Sequence, residues 1–455
     1  MIAAPPRGWT ERLQLRPGVR ALAAGLFVYG FGEELWFRYL PAYLRTLGAS
    51  ALLVGAFGTW KDLLDAGYAF PGGVLADRLA SRRALLLFGL LTTAGFALYL
   101  AHPTVPVIFA GLALVMAWQS LGLPATFALV AEELSGAGRL VGFTVQAVVK
   151  RLPILLAPPL GGWLIGRLGM AHGMRAGFAV SVLMSLLMLA GLRRSWRSSR
   201  VAAAAAPAPG AAPAPGAAAE SAPGMTESAP AATAAARDPA AMRPARQSGK
   251  LRLHPALRQL LVADCLIRLC EGLPEVFLVV WALEVARVSP ARFGVLTAIL
   301  MATAIASYAP AALLAGRVEK KPFVVLTYAF FTLFPLAVVA SRSFGALAAA
   351  FVVGGLREIG EPARKALIVD LADREPGRTI GIYYSIRGFA VAGASAIGGA
   401  LWTVRPALTF LAAAALGVAG TLWAALSLPG RPPAQAAPPA VAAPAIVISD
   451  QEAAQ

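Results

Sequence analysis

Charged side chains are scarce in this sequence, and so are the residues that build most metal and redox sites. Only 14% of its 455 residues are Asp, Glu, Lys or Arg, against about a quarter in water-soluble domains. A chain so poor in charge lacks the coat of a soluble enzyme of two or three domains, and that class is excluded. There are 2 cysteines and 3 histidines. Cys265 and Cys270 lie on one predicted helix at a spacing that suits neither a disulfide nor a zinc site, and His102, His172 and His254 form no cluster. No metal and no cofactor are expected. The loop G-x-x-x-x-G-K-[ST], which cradles nucleotide phosphates, is missing, and this disfavours ATP as an energy source.

Apolar residues are abundant: 58% of the chain is hydrophobic and the mean hydropathy is +0.68. A helix needs roughly 20 apolar residues to cross a bilayer core. Stretches of that kind run over 20–44, 50–75, 84–101, 106–131, 140–165 and 174–192, and then over 257–283, 292–316, 322–340, 344–369, 379–402 and 406–428. The expected fold class is therefore all-α integral membrane, with twelve transmembrane helices. An even number of spans puts both termini on one side.

The 40 basic residues exceed the 23 acidic ones by 17. Such a balance reads as nucleic-acid binding, anionic lipid or membrane topology, and position decides among them. Basic residues crowd one side: Arg7, Arg12, Arg16 and Arg20 in the tail 1–19 and at its border, Arg78, Arg82 and Arg83 after the second span, and Arg193, Arg194, Arg197 and Arg200 after the sixth. The opposite loops hold fewer, among them Arg45, Arg175 and Arg405. By the positive-inside rule the termini are cytoplasmic. The lipid bilayer is the expected partner and nucleic acid is not. Residues 1–20 do not resemble a cleavable signal, because Glu33 and Glu34 interrupt the apolar core that follows. The expected location is a cell membrane of the bacterial inner-membrane type, with a multi-pass, monomeric chain.

Two segments break the pattern. Residues 193–256 form a cytoplasmic linker whose 201–250 portion is an Ala/Pro/Gly/Ser run, and residues 429–455 repeat that composition. Neither can build a core, and both read as disordered tethers.

The chain also resembles itself at an offset of about 239 residues. Pro71, Leu75, Ala76 and Arg78 recur as Pro310, Leu314, Ala315 and Arg317. Gly122, Pro124, Ala125 and Ala128 recur as Gly360, Pro362, Ala363 and Ala366; Gly161 and Gly162 recur as Gly398 and Gly399. Two six-helix halves follow, 20–192 and 257–428, in the same orientation. Parallel repeats of this kind belong to rocking secondary transporters, with the site between the halves near the midplane.

Two motifs carry a resemblance to the major facilitator superfamily. The run Gly73-Val74-Leu75-Ala76-Asp77-Arg78-Leu79-Ala80-Ser81-Arg82-Arg83 is similar to its loop motif G-x-L-A-D-[RK]-x-G-[RK]-[RK], with Ala80 and Ser81 departing from the pattern. The gating residues this implies are Gly73, Asp77 and Arg78, which would hold the cytoplasmic side closed; a pure topology signal is the alternative. In the fifth span, Ala157-Pro158-Pro159-Leu160-Gly161-Gly162 is similar to the G-P-x-x-G-G end of the motif of the family's proton antiporters. Pro158, Gly161 and Gly162 then mark either an antiporter or ordinary close helix packing. The resemblance also implies that the first, fourth, seventh and tenth spans line the cavity.

Ionisable groups inside the spans are costly unless paired or hydrated, and each is a functional candidate. Glu33, Glu34, Asp62, Asp65, Glu271, Glu275, Glu358 and Glu361 face Arg38, Lys61, Lys150, Arg151, Arg268, Arg357, Arg364, Lys365 and Arg387. Eight acids against nine bases predict mutual pairing, with Glu34–Arg38 and Lys61–Asp65 at helical i,i+4 spacing. A carboxylate desolvated between rocking halves can take up and release a proton near neutrality. The candidates for proton coupling are Glu33, Glu34, Glu271, Glu275, Asp62 and Asp65. The candidates for substrate contact or counter-charge are Arg38, Gln119, Gln146, Arg151, Arg268, Arg357, Glu358, Glu361, Tyr383 and Arg387.

The expected function is secondary active transport by alternating access, without enzymatic activity. Its expected partners are protons and a small-molecule substrate, and proton-coupled efflux of a drug or metabolite is the first reading. An uptake symporter for a polar or charged solute is the alternative, and a transport-inactive scaffold or receptor is a third.

Overall fold

In lipid, a backbone must satisfy its own hydrogen bonds, and helices are one of only two ways to do so. The computed structural model describes residues 17–79, 81–122, 126, 137–205, 254–314, 319–372 and 376–428, and among these the only regular structure is helical. The first half contains α1 (Pro17–Glu34), α2 (Leu40–Thr46), α3 (Ala51–Leu79), α4 (Ser81–Ala101), α5 (Val105–Met116), α6 (Ala137–Leu168) and α7 (Met170–Ala205). The second contains α8 (Pro255–Gly272), α9 (Phe277–Val280), α10 (Pro290–Leu314), α11 (Lys320–Ala340), α12 (Phe344–Leu356), α13 (Glu361–Asp370), α14 (Pro376–Val391), α15 (Ala394–Val404) and α16 (Pro406–Ser427). Most of the predicted linker and all of the predicted C-terminal tail lie outside the described residues. Helix α7 runs on to Ala205, past the expected boundary at 192.

Every predicted span overlaps a helix, but 6 helices among the described residues are long and apolar enough to cross a membrane by length and composition. The other stretches are interrupted or charged, and their interruptions repeat. The first span breaks at Leu35–Trp36 and the seventh at Leu273–Val276. The fourth passes through a π-helical turn at Ala117–Leu121, and the tenth breaks at Arg357–Gly360. The spacing of these breaks matches the sequence offset. Each break frees backbone groups from the helical ladder, and that is tolerated only where protein or a cavity faces them.

Aromatic clusters hold each half. Trp36 is fully buried, donates from Nε1 to Ser181 Oγ at 2.7 Å, and meets Phe178 edge-on at 4.9 Å. In the second half Phe277 stacks on Trp402 at 4.8 Å, and Trp281 lies 5.0 Å from Phe410. The halves meet along α10 against α6 and α15 against α3. These contacts need small residues: a methyl group on Gly55 would strike the Ser395 carbonyl oxygen, and one on Gly162 would strike the Pro290 carbonyl oxygen. The latter contact lies at the end of the bundle opposite Pro17 and Ser427, and so does Tyr39. The Tyr39 hydroxyl donates to the Pro158 carbonyl at 2.7 Å and lies 3.1 Å from the Pro290 carbonyl, so one side chain ties the first, fifth and eighth spans together.

Candidate functional site: a charged cavity between the halves

Because the first, seventh and tenth spans are broken, their side chains turn inward around a cavity of about 300 Å³. Its polar lining includes Glu34, Arg38, Lys61, Gln119, Glu271, Glu275 and Arg357, and its apolar lining includes Phe37, Phe57, Phe293, Phe331, Phe334 and Phe351. The first, fourth, seventh and tenth spans all contribute, and so do the second, fifth, eighth and ninth. A side pocket of about 250 Å³ shares Glu34 and Gln119 with it and adds Glu33, Tyr29 and Lys150. A third space of about 430 Å³ brings Asp62 and Asp65 opposite Arg268, Glu271 and Arg387.

The candidate charges sort into three environments. Glu33 is 3% exposed; it accepts from Gln119 Nε2 at 2.5 Å and from the Tyr29 hydroxyl at 3.2 Å, and among the described residues no basic group lies within ion-pair distance. Glu34 pairs with Arg38 at 2.9 Å, as the spacing predicts.

A second group crosses between the halves. Lys61 Nζ lies 2.6 Å from Glu275 and 3.5 Å from Asp62. The expected Lys61–Asp65 pair does not form, because Glu275 in the break of the seventh span comes closer than the next turn of Lys61's own helix. Asp65 accepts from the Ser120 hydroxyl at 2.5 Å instead. Arg151 reaches Glu358 at 3.4 Å, and Arg45 reaches Glu284 at 3.3 Å.

The third group is a buried network within the second half. Arg268 meets Glu271 at 2.6 Å and Glu361 at 2.7 Å. Arg364, 2% exposed, meets Glu361 at 2.8 Å and Asp264 at 2.7 Å. Asp264 is fully buried and also receives the Tyr383 hydroxyl at 3.0 Å and Arg387 at 3.3 Å. Asp264 is absent from the sequence-derived set, although it lies four residues before Arg268 on the same helix and that spacing is a detectable signal. It makes the tally of acids within the spans nine.

Other candidates are not among the described lining residues. Gly73 and Asp77 sit within α3 with side chains outside the described set, and Arg78 is exposed. Gln146 sits within α6, also with an undescribed side chain. The second-half counterpart at 315–318 lies outside the described residues. Gly161 packs against the Leu35 carbonyl, and Gly162 against Pro290 and Tyr39. Among the described residues no cluster of His, Cys, Asp or Glu is arranged to hold a metal ion.

A helical membrane protein with a charged cavity between two repeated halves has the build of a solute carrier, and the comparisons agree. The family model described as Major Facilitator Superfamily matches residues 22–285 and 260–451, and the chain belongs to that superfamily of transporters. Two MFS-type transporters from strains of Mycobacterium tuberculosis are 29% identical to it over 156 residues, 32% of this chain and 37% of theirs. The match thus spans little more than a third of those relatives' length. Among solved structures, a mutant of the peptide transporter POT bound to alafosfalin aligns with TM-score 0.66 at 18% identity, over 93% of this chain and 96% of that one. A D-xylose-proton symporter aligns with TM-score 0.64 at 13% identity, over 90% and 98%. The protein is a multi-pass membrane protein of that superfamily.

Proposed function

We propose that the chain moves a small solute against its gradient by coupling to protons, with the halves 20–192 and 257–428 rocking about the central cavity. The observation that carries this is Glu33. It is buried in the first span, held among the described residues by the neutral donors Gln119 and Tyr29, and opens toward a pocket continuous in lining with the central cavity. A desolvated carboxylate with neutral partners is where a proton relieves the largest charging cost. Gln119 lines the cavity and touches Glu33, so a solute arriving at Gln119 perturbs the carboxyl directly.

Export of a drug-like or metabolite solute is the direction we favour, supported by the antiporter-like Pro158, Gly161 and Gly162 and by the phenylalanine-rich walls. Uptake of a polar solute is the second reading, supported by the ion pairs that line the same cavity. The distribution of basic residues supports cytoplasmic termini in a bacterial inner membrane, and Gly73, Asp77 and Arg78 form the proposed cytoplasmic latch. The linker is proposed to be a passive tether. The deciding measurement is solute flux in proteoliposomes under an imposed pH gradient. Flux should collapse with a protonophore and lose its pH-gradient dependence in Glu33→Gln; Glu33→Gln flux that still follows the gradient overturns the assignment.

A further inference from the structure

Resting on that transport reading, we propose that the cavity contains an oxyanion subsite at Arg357, and that the solute is a small organic acid with an apolar body. Arg357 caps the end of α12, where the tenth span breaks. Its Nε donates to the Gly354 carbonyl at 2.7 Å. Its guanidinium carbon sits 4.8 Å from the Phe331 ring centre and 4.9 Å from that of Phe334. Two rings and a carbonyl therefore fix the plane of the group, which reduces the ordering cost of binding a planar acid.

The group is held but not used up. One terminal nitrogen lies 3.5 Å from Glu271, at the limit of a hydrogen bond, while Glu271 has a stronger partner in Arg268 at 2.6 Å. The other has no hydrogen-bond partner among the described residues, and the side chain lines the cavity. The charge balance points the same way. Arg268, Arg364 and Arg387 are engaged with Asp264, Glu271 and Glu361, while Glu275 is taken by Lys61 and Glu358 by Arg151. Arg357 is thus a fourth guanidinium beside three carboxylates that the other three already engage. Phe37, Phe57, Phe293 and Phe351 supply apolar walls, and about 300 Å³ is the lower end of the range for small-molecule sites.

The test is ligand-induced thermal stabilisation of the purified full chain in detergent, without any gradient. Three probes share one ring system: naphthoate, naphthalenemethanol and naphthylmethylammonium. Naphthoate should raise Tm and the other two should not. Arg357→Gln should weaken naphthoate by about 10- to 100-fold, the worth of a charge-assisted contact, and Arg357→Lys should recover part of it. Absence of naphthoate binding, equal binding of the alcohol, or unchanged affinity in Arg357→Gln overturns the subsite. If Arg357→Gln does not fold, the probe ranking on the native chain decides alone. Naphthoate binding without proton-driven flux overturns only the coupling reading. Coupled flux of another solute without naphthoate binding overturns only the subsite.

Discussion

Lys61 and Glu275 form a 2.6 Å ion pair across the cavity, joining residues 214 positions apart and linking the second span of one half to the break in the seventh span of the other. In the proposed rocking cycle the halves separate there, and this pair is a contact that the cycle has to break. Glu275 is nearly half exposed on its side chain, so its worth is that of a partly solvated pair. Lys61→Met leaves Glu275 and Asp62 without their shared cation and should impair the protein more than Glu275→Gln, which leaves Lys61 with Asp62. A double-mutant cycle read by thermal unfolding should give a coupling of about 1 kcal/mol; additive effects would show that the pair is not coupled.

Tyr39 is expected to act as a pin at the end opposite Pro17 and Ser427. Tyr39→Phe keeps the ring and removes a hydrogen bond to Pro158 and a contact to Pro290. Both carbonyls keep their own helix partners, so the loss is that of one net hydrogen bond, about 0.5–1.5 kcal/mol, which shifts a two-state balance by up to about tenfold. Cysteine accessibility in the Tyr39→Phe background should rise at that end. Unchanged accessibility would mean that packing of Gly161 and Gly162 suffices.

Arg364 carries the largest predicted stability effect. Removing it takes away the cation that Asp264 and Glu361 share and leaves them Arg387 at 3.3 Å and Arg268 at 2.7 Å, and breaking buried pairs costs up to about 3–5 kcal/mol. Arg364→Met should yield little folded protein. Arg364→Met combined with Asp264→Asn should recover yield, measured as monodisperse protein after purification, because it removes one of the two charges that lost their shared cation.

Arg45 and Glu284 supply the contrasting case. They too link the halves, but their side chains are 32% and 41% exposed, and solvent screens such pairs to about 0–1 kcal/mol. Arg45→Ala should leave thermal stability within a degree or two of the parent, an expectation that unfolding curves at low and high salt check directly.

The membrane class, the helical spans and the twofold repeat were legible in the sequence because each depends on local composition and on spacing along the chain. Long apolar runs force helices in lipid, and repeated small residues and prolines mark repeated packing. The Glu34–Arg38 pair was legible for the same reason, being a one-turn relationship. The breaks at Leu35–Trp36, Leu273–Val276 and Arg357–Gly360 were not, since a hydrophobic run reads the same whether its helix is continuous or bent around a cavity.

Partner choice between distant spans was decided by tertiary structure. Lys61 faces Asp65 on its own helix by spacing, yet it binds Glu275, because the bend in a distant span brings that carboxylate nearer. Asp264 escaped notice among apolar neighbours, and only the fold gathers Arg364, Tyr383 and Arg387 around it. The sequence by itself determined how many charges enter the membrane and on which spans. That Glu33 has no cation within ion-pair distance among the described residues, and that a terminal nitrogen of Arg357 has no hydrogen-bond partner among them, emerged only in three dimensions, because Coulomb attraction follows distance in space and is indifferent to distance along the chain.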